Sequence, residues 1–307
     1  MGSLGHEESP GSIKNETADP SSQSKYMDRN RHPLTVLSQS QANTSQHNGA
    51  PEVSIIMPTK DRAVLVKRAT DSVLNQSFED WELIILDDSS VQNKKKIAEL
   101  RTDSRIRFLS RPSNSSVALA RTIGVDNALG KFSTFLDSDD YYSPKRLEKH
   151  LQVWSGTKGR LGLSWDVCIE SNGDSKLMNQ PFRPGIVARP RVARQLFLGN
   201  FIHASAGFTR TEYARGIDFS WNILSDWLLF MRLGEKFDGY FINEPLTFRD
   251  LGAEDRVANQ FALRFFYTQS LSLRRRLLRS NPKVYFLPWV ARDLSRVINK
   301  VKGRVRA

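Results

Sequence analysis

The sequence predicts an α/β protein whose mostly parallel sheet is flanked by helices, followed by a C-terminal basic helical appendage. Two observations predict the sheet: short apolar runs recur between residues 53 and 136, and a helical pattern follows each of them. Strands that alternate with helices pair in parallel, because each crossover returns the chain to the same end of the sheet. The third observation is charge: residues 272–307 hold eleven Lys or Arg and one acid, and so carry +10 of the net charge of +12.

Composition divides the chain into three segments. Residues 1–50 are rich in Ser, Asn, Gln, Gly and Pro, so they cannot bury enough surface to offset the entropy of ordering and are predicted to be disordered. Residues 51–255 carry the strand–helix pattern of an α/β domain, and residues 256–307 form the basic tail. The positive charge belongs to that tail and says little about the body.

Composition also narrows the class of protein. Cys168 is the single cysteine, which excludes an internal disulfide and a cysteine-rich zinc site, and its apolar neighbours predict a buried, inert thiol. The chain has no run of eighteen apolar residues and no basic-then-apolar leader, so we expect a cytoplasmic protein, at the inner face of the cell membrane if the tail binds lipid. Dinucleotide-binding, P-loop and zinc-protease motifs are absent.

The first two predicted strands both end in polar residues. Residues 53–59 form a nearly continuous apolar run, which is typical of a strand buried on both faces. Asp61 is placed to cap the helix that follows. Residues 81–86 form the second strand, which ends at Asp87 and Asp88.

Two further strand–helix units complete the parallel part. Residues 106–109 form the third strand, and Ser115 or Ser116 opens a helix that runs to Gly130, a candidate C-cap. The fourth strand begins at residue 132. The later elements are a helix opened by Ser143-Pro144, a strand over residues 161–169, a loop over 180–191, a helix over 191–197, a strand over 202–209 and a helix over 226–234.

Three carboxylates follow the fourth strand: Asp137, Asp139 and Asp140. Acids at the end of a buried strand are costly unless a cation neutralises them, and Mn²⁺ or Mg²⁺ takes oxygen ligands and bridges phosphates. In open α/β sheets ligands bind beyond the carboxyl ends of the strands, where Asp61 and Asp87 also lie. The stretch therefore indicates a metal and diphosphate site. The alternative is a solvated acidic turn in which Asp140 caps the next helix.

Five blocks in fixed order carry a family resemblance. They are residues 53–62 (VSIIMPTKDR), 72–78 (SVLNQSF), 86–90 (LDDSS), 120–121 (AR) and 136–140 (LDSDD). Together they resemble the family 2 glycosyltransferases of the GT-A fold, over about residues 51–250. That family moves a sugar from a nucleotide diphosphate donor, usually a UDP-sugar, with inversion. The resemblance implies a metal-dependent enzyme with a glycan or lipid-linked acceptor, working in cell-surface polysaccharide or glycolipid synthesis.

The resemblance also implies which residues meet the nucleoside. Pro58, Thr59 and Asp61 fall where the first loop of the family contacts it. Asp87 and Asp88 fall where an acid holds the base ring. The alternatives for these two acids are a polar turn at the strand end and a cap of the next helix.

The Asp-x-Asp motif of the family falls on Asp137 and Asp139. The resemblance implies that Asp137 binds the ribose side and the metal, that Asp139 binds the metal, and that Ser138 borders the nucleotide sugar. Arg121 occupies the basic position before the fourth strand and is assigned to nucleotide-sugar binding.

A later block, residues 224–232 (LSDWLLFMR), resembles the part of the family that supplies the catalytic base. A sugar hydroxyl is a poor nucleophile at neutral pH, so a carboxylate must accept its proton, and Asp226 is the candidate. Ser225 replaces the acid that more often precedes it. The alternative for Asp226 is a helix N-cap. Arg249 matches an arginine after the last strand of the family, but the histidine that usually follows is missing.

The last residues predict a basic amphipathic helix. In residues 289–306 the apolar side chains follow helical spacing, and Arg or Lys populate the opposite side. Such a helix can lie on an anionic membrane surface, which suits a lipid-linked acceptor. The alternative is a helix that docks on the catalytic domain. Nucleic acid is not expected as a partner, because no recognition module accompanies the tail.

Two rival functions remain at this stage. One is a phosphotransferase or phosphatase that uses Asp137 as a nucleophile, although such enzymes usually carry the motif on their first strand. The other is a non-catalytic protein that only binds a nucleotide sugar, and the presence of Asp137, Asp139 and Asp226 argues against it.

Overall fold

The computed structural model describes residues 49–100, 103–110, 115–157, 159–172, 174–215, 224–250 and 263–290, all within the compact unit Ser40–Ala307. The strands are β1 (Val53–Thr59), β2 (Trp81–Asp87), β3 (Ile106–Ser110), β4 (Phe132–Phe135), β5 (Asp140–Tyr142), β6 (Leu161–Asn172), β7 (Asp174–Leu177), β8 (Gly185–Val187), β9 (Gly207–Arg210) and β10 (Asp238–Asp250). The helices are α1 (Ala63–Leu74), α2 (Val91–Ala98), α3 (Val117–Asp126), α4 (Arg146–Gly156), α5 (Arg191–Leu198), α6 (Thr211–Ala214), α7 (Ser225–Lys236) and α8 (Leu263–Ser280), and residues 282–290 are also helical.

The first half of the sheet is parallel, as the sequence predicts. Strands β3, β2, β1 and β4 lie side by side in that order and all pair in parallel. All seven residues of β1 are buried. Ile55 lies in the apolar cluster that contains Val66 of α1, whereas Ile56 lies in the cluster that contains Ala118 of α3. The apolar run is continuous because helices cover both faces of this strand.

The second half of the sheet is mixed. Strand β9 lies antiparallel between β4 and β6, β10 runs parallel to β6, and β5 pairs antiparallel with β10. Strands β7 and β8 add to β6 and β10. The sequence did not predict β5, β7, β8 or β10. The predicted strand over 202–209 is also wrong in its first part, because His203 accepts a hydrogen bond from the Ser205 N–H and starts a 3-10 turn before β9.

Two predicted helix ends need correction. Ser116 is the N-cap of α3, as expected, and its Oγ accepts the Leu119 N–H at 3.0 Å. The helix ends at Asp126, so Gly130 is not its C-cap. Gly130 lies against β1, where an added Cβ would sit 2.6 Å from the Ser54 nitrogen. Helix α4 begins two residues after Pro144, which lies in the preceding turn.

A buried polar network joins α4 to the sheet. The guanidinium of Arg146 lies 3.0 Å from the carboxylate of Asp166 on β6, and His150 lies 3.1 Å from the same oxygen. All three side chains are withdrawn from solvent. His150 also hydrogen-bonds Ser164 at 2.7 Å. Cys168, on the same strand, is buried and free as predicted, and burial raises the pKa of its thiol.

The helical appendage predicted after the catalytic domain is present. Leu273 and Leu277 of α8 and Tyr285 beyond it are buried in the cluster that also holds residues of α5 and α7. Arg274 donates from Nε to the Phe197 carbonyl at 2.7 Å. None of the described helices has the length and apolar content needed to cross a bilayer. Of the predicted amphipathic helix over 289–306, all but residues 289–290 lies outside the described residues, as do residues 1–48 of the predicted disordered segment.

Candidate active site

The acidic strand ends meet at one edge of the sheet. Thr59, the last residue of β1, pairs with Asp87, the last residue of β2. The loop after β1 then contacts two acids, since Lys60 lies 3.8 Å from Asp88 and Arg62 lies 3.2 Å from Asp139. The neighbourhood expected from the parallel strand order is therefore present.

Arg121 connects two of the predicted functional acids. It projects from α3 and is buried. One guanidinium nitrogen lies 2.7 Å from Asp137, and the other lies 3.5 Å from Asp226 and 3.3 Å from the Ser225 hydroxyl. Burial lowers the pKa of Arg121, but the carboxylates of Asp137 and Asp226 more than offset that effect and raise it. Arg121 is therefore a permanent positive charge between them.

Asp226 lies in the first turn of α7, but it is not the helix cap. The N-cap is Leu224, so the capping alternative is wrong. The side chain of Asp226 is 15 % exposed. Burial raises the pKa of its carboxyl, Arg121 lowers it, and Asp137 raises it, with a net increase. A half-buried carboxylate with a raised pKa suits a general base.

Asp137, Asp140 and His203 form a cluster of potential metal ligands. One ligand atom from each lies within 4.8 Å of the others. Nδ1 of His203 lies 3.3 Å from Asp140, and Nε2 lies 4.0 Å from Asp137. Ser205 braces the cluster, because its hydroxyl donates to Asp140 at 2.5 Å and accepts the Asp137 N–H at 3.0 Å.

These residues fit a divalent cation. Asp140 is completely buried, and its Oδ1 has no hydrogen-bond partner among the described residues. Burial and the neighbouring Asp137 and Asp139 raise the pKa of its carboxyl well above the ordinary value. A buried carboxylate oxygen with no donor is costly unless a cation meets it. Two carboxylates and an imidazole are an acceptable ligand set for Mn²⁺, and the oxygens also suit Mg²⁺. The solvated acidic turn considered above is wrong.

Asp139 has different partners from the rest of the motif. Its carboxylate faces Arg62, and its main-chain oxygen accepts a hydrogen bond from Arg68 at 2.6 Å. It is not part of the ligand cluster that the structure forms, and its role as a metal ligand stays a prediction. Asp140 and His203 were missed as ligands. Asp140 is adjacent to the motif, whereas no local signal marks His203, which approaches only because β9 inserts beside β4.

Asp61 turns toward α2 and not toward α1. Its φ is +53°, and its carboxylate accepts the Ser90 N–H at 2.7 Å and the Asn93 side chain at 3.1 Å. Arg62, not Asp61, is the N-cap of α1, so the predicted cap is wrong. The hydrogen bonds from Ser90 and Asn93 lower the pKa of Asp61. The exposed residue thus fixes the loop between β1 and α1 onto the start of α2.

The remaining predicted residues line the same edge. Pro58 and Thr59 are buried at the end of β1, and Ser138 is buried in the acidic turn. Asp87 accepts the Ser89 N–H at 2.8 Å and so also shapes the turn after β2. Contact of these residues with a nucleotide sugar stays a prediction.

Arg249 lies within β10 and not after the last strand, where the sequence placed it. It pairs across the strands with Asp140, and its guanidinium lies 2.5 Å from Glu170. Arg249 therefore joins β10 to the acidic turn through the main chain and to β6 through its side chain.

Known glycosyltransferases resemble this chain in sequence. The sequence model described as "Glycosyl transferase family 2" matches residues 54–215. The putative teichuronic acid biosynthesis glycosyltransferase TuaG of Bacillus subtilis is 36% identical over 107 residues, which cover 34% of this chain and 42% of TuaG. The Escherichia coli protein WfgD, named UDP-Glc:alpha-D-GlcNAc-diphosphoundecaprenol beta-1,3-glucosyltransferase, is 37% identical over 102 residues, which cover 33% of this chain and 40% of WfgD.

A solved structure shares the fold. Residues 1–349 of TarS from S. aureus, in complex with UDP-GlcNAc, match with a TM-score of 0.58 and 16% identity, over 69% of this chain and 62% of that one. At that identity the match supports the GT-A fold alone. The matched part of this chain spans less than half the length of the curated relatives named above.

Proposed function

This chain belongs to glycosyl transferase family 2, whose sequence model matches more than half of it, and on that premise we propose that it transfers a sugar from a UDP-sugar to a hydroxyl group of a lipid-linked glycan. The single observation that carries the proposal is the position of Arg121 between Asp137 and Asp226. The buried guanidinium of Arg121 thereby holds Asp137, the acid assigned to the sugar donor, close to Asp226, the acid assigned to the acceptor.

Donor and acceptor classes are proposed from the relatives. WfgD is named for a UDP-Glc donor and a diphosphoundecaprenol-linked acceptor, and the TarS structure contains UDP-GlcNAc. TuaG is named for teichuronic acid biosynthesis. These names support a UDP-sugar, a lipid-linked glycan and a place in polysaccharide or glycolipid synthesis. They also favour a location at the inner face of a membrane, which the basic tail would contact.

Asp226 is the proposed general base. Its carboxylate accepts the proton of the acceptor hydroxyl while the oxygen attacks the anomeric carbon, and the nucleotide diphosphate departs from the opposite face, so the configuration inverts. General-base catalysis of this kind contributes about 10²–10⁴-fold to the rate. Arg121 keeps Asp226 ionised before the attack, because a cation favours the charged form of a carboxyl.

Asp137, Asp140 and His203 are the proposed holders of Mn²⁺ or Mg²⁺, with Asp139 as the further ligand assigned from the motif. A divalent cation bound there would stabilise the charge that develops on the departing diphosphate. Ser205 fixes the acidic turn, since it hydrogen-bonds both Asp137 and Asp140.

Nucleoside binding is proposed at the loops after β1 and β2. Pro58, Thr59 and Asp61 border one side, and Asp87 and Asp88 border the other. Asp61 already contributes by joining the two loops through Ser90. Arg121 acts on the donor through Asp137.

The phosphatase alternative is less consistent with the geometry. A nucleophilic aspartate needs a free carboxylate oxygen aimed at phosphorus, whereas Asp137 is held by buried Arg121 and lies near His203. No described contact favours that chemistry over glycosyl transfer. A non-catalytic binding protein would not need Asp226 beside the same arginine.

Calorimetric titration and a turnover assay on the full chain test the proposal. We expect UDP-Glc or UDP-GlcNAc to bind in the presence of Mn²⁺, EDTA to abolish binding, and Asp139→Ala to weaken it. Release of UDP should depend on an added lipid-linked acceptor. Release of inorganic phosphate would instead identify a phosphatase, and tight binding with no turnover would identify a binding protein.

A further inference from the structure

Helix α8 continues with little interruption into the helical residues 282–290. The Asn281 N–H donates to the Leu277 carbonyl at 2.9 Å, and the Tyr285 N–H reaches the Asn281 carbonyl at 3.3 Å. The first bond closes α8 and the second opens the helical residues 282–290, with Asn281 between them. On each side of this junction, side chains spaced three or four apart share a face.

One face of this helical segment packs against the catalytic body. Leu273, Leu277, Val284 and Tyr285 are buried. Tyr285 donates from its hydroxyl to Glu235 of α7, and its ring stacks on Phe197 of α5 with centroids 4.9 Å apart. The orientation of the segment is thus fixed, and so is the identity of the face that it turns outward.

The outward face changes from basic to apolar along its length. Its first part carries Arg275, Arg279 and Lys283, all exposed. Its second part carries Phe286 and Leu287, which are 59% and 70% exposed. Within each of the two helical parts these positions follow the spacing of one face.

Charge on this segment has one sign. Residues 263–290 contain six Lys or Arg and no Asp or Glu. Two copies of the chain would bring like charges together if they met through this face, which disfavours a self-interface. Large apolar side chains beside unopposed basic ones match a bilayer that has anionic headgroups, because lysine and arginine reach the phosphates while the apolar groups enter the acyl boundary.

We infer that the exposed face of residues 275–290 is a docking surface for an anionic lipid bilayer. The inference rests on the proposed function only in that a lipid-linked acceptor lies at such a surface. It does not need the residues after 290, because the basic and apolar groups are both present before them. Docking would hold the catalytic body beside the acceptor through α5 and α7, on which the segment is anchored.

Vesicle flotation with the full chain tests the surface. Vesicles of phosphatidylglycerol mixed with phosphatidylcholine should carry the protein, and vesicles of phosphatidylcholine alone should not. The double variants Arg275→Glu with Arg279→Glu and Phe286→Ser with Leu287→Ser should each weaken binding to anionic vesicles by about tenfold or more.

Two matched controls separate this surface from general effects of charge and hydrophobicity. Lys95→Glu with Lys96→Glu makes the same change of charge on exposed residues of α2, and Leu177→Ser removes an apolar side chain that is 61% exposed on β7. Both controls should float like the unchanged chain. Binding of UDP-sugar by every variant reports that the catalytic body is folded.

The inference is overturned if the unchanged chain ignores anionic vesicles, or if the two test variants float as well as the controls. It is also overturned if size-exclusion chromatography shows a dimer that Phe286→Ser with Leu287→Ser dissociates, since the face would then join two copies. If the unchanged chain binds UDP-sugar but not vesicles, only the inference of a membrane-docking surface is refuted. If the unchanged chain floats with anionic vesicles but binds no UDP-sugar, the proposed function is refuted and the membrane-docking surface stands.

Discussion

Arg121 and Asp226 lie 3.5 Å apart beneath the acidic end of β4. Burial raises the pKa of the Asp226 carboxyl and the nearby guanidinium lowers it, so Arg121 limits the fraction of this proposed base that is protonated. The same guanidinium also contacts Asp137, the acid assigned to the sugar donor. A change in the charge of Asp137 therefore acts on Asp226, the proposed base, through the Arg121 side chain.

Asp226→Asn removes the proposed base with little change of shape. We expect the turnover number to fall about 10²–10⁴-fold, because the acceptor hydroxyl loses its proton acceptor. Affinity for UDP-sugar should stay within about twofold, which calorimetry would measure. Asp71→Asn, on the exposed side of α1, is the matched control. Near-normal turnover by Asp226→Asn would assign the base to another residue.

Arg121→Gln should move the acidic limb of the pH–rate profile to higher pH. Loss of the positive charge disfavours the ionised form of Asp226, so its pKa rises. Arg121→Lys keeps the charge and should leave the limb near its original position while it lowers turnover through altered geometry. A limb that is unchanged or lower in the glutamine variant contradicts the assignment of Asp226.

His203→Gln should weaken Mn²⁺ binding about tenfold or more if the ligand cluster holds the ion, because one of its three grouped ligands is lost. Electron paramagnetic resonance of Mn²⁺ with the full chain measures this without turnover. Asp139→Asn is the informative comparison, since its carboxylate faces Arg62. Undisturbed Mn²⁺ binding in the histidine variant, with loss in Asp139→Asn, would place the ion at Asp137 and Asp139 instead.

Arg68→Met should slow the enzyme without unfolding it. Arg68 donates to the main-chain oxygen of Asp139 at 2.6 Å and to the carboxylate of Asp250 at 2.8 Å, so it ties the acidic turn to the end of β10. We expect kcat/KM to fall about tenfold, because small displacements of aligned groups are costly. Lys67→Met, the exposed neighbour on α1, should have no such effect. Equal kinetics for the two variants would show that the tie is unimportant.

His150 should make stability depend on pH. Burial, and then the charge of Arg146, lowers its pKa to about 4 from the ordinary value of 6.5. Between these pH values the unfolded chain binds a proton that the folded one does not, so stability is full above about pH 6.5 and is lost as the pH falls toward 4. The contribution is about 3 kcal/mol at most.

Urea unfolding of the unchanged chain and of His150→Gln across that range isolates this contribution. The variant starts from a lower stability because the site is buried, so the slope against pH is the relevant quantity. We expect a shallower slope in the variant. Parallel curves for the two proteins would mean that other groups cause the dependence.

Sequence reasoning succeeded where strands pair with neighbours in the chain. The apolar runs of β1, β2 and β4 and their acidic ends were sufficient to place Asp87 and Asp137 at one edge. It failed where the partner is distant. The pairing of β5 with β10 and the insertion of β9 depend on tertiary contacts that no local sequence period encodes. Because these pairings were not predicted, Asp140 and His203 were not predicted as metal ligands.

Local geometry caused the other failures. The positive φ of Asp61 aims its carboxylate at α2, whereas a cap for α1 would need the extended conformation usual at that position. Gly130 was read as a helix end, but its function is to let the chain pass close to Ser54. In both cases the residue type indicated a special local role, but the sequence did not indicate which residue it contacts.

Asp140 begins a strand whose described main-chain partner, around Arg249 in β10, is synthesised much later. Strands β1 to β4 can pair while the polypeptide is still emerging from the ribosome, but β5 lacks its described strand partner until β10 is made. A nascent chain that ends before residue 238 therefore lacks the strand that fixes Asp140. Maturation of the catalytic centre is tied in this way to completion of the polypeptide.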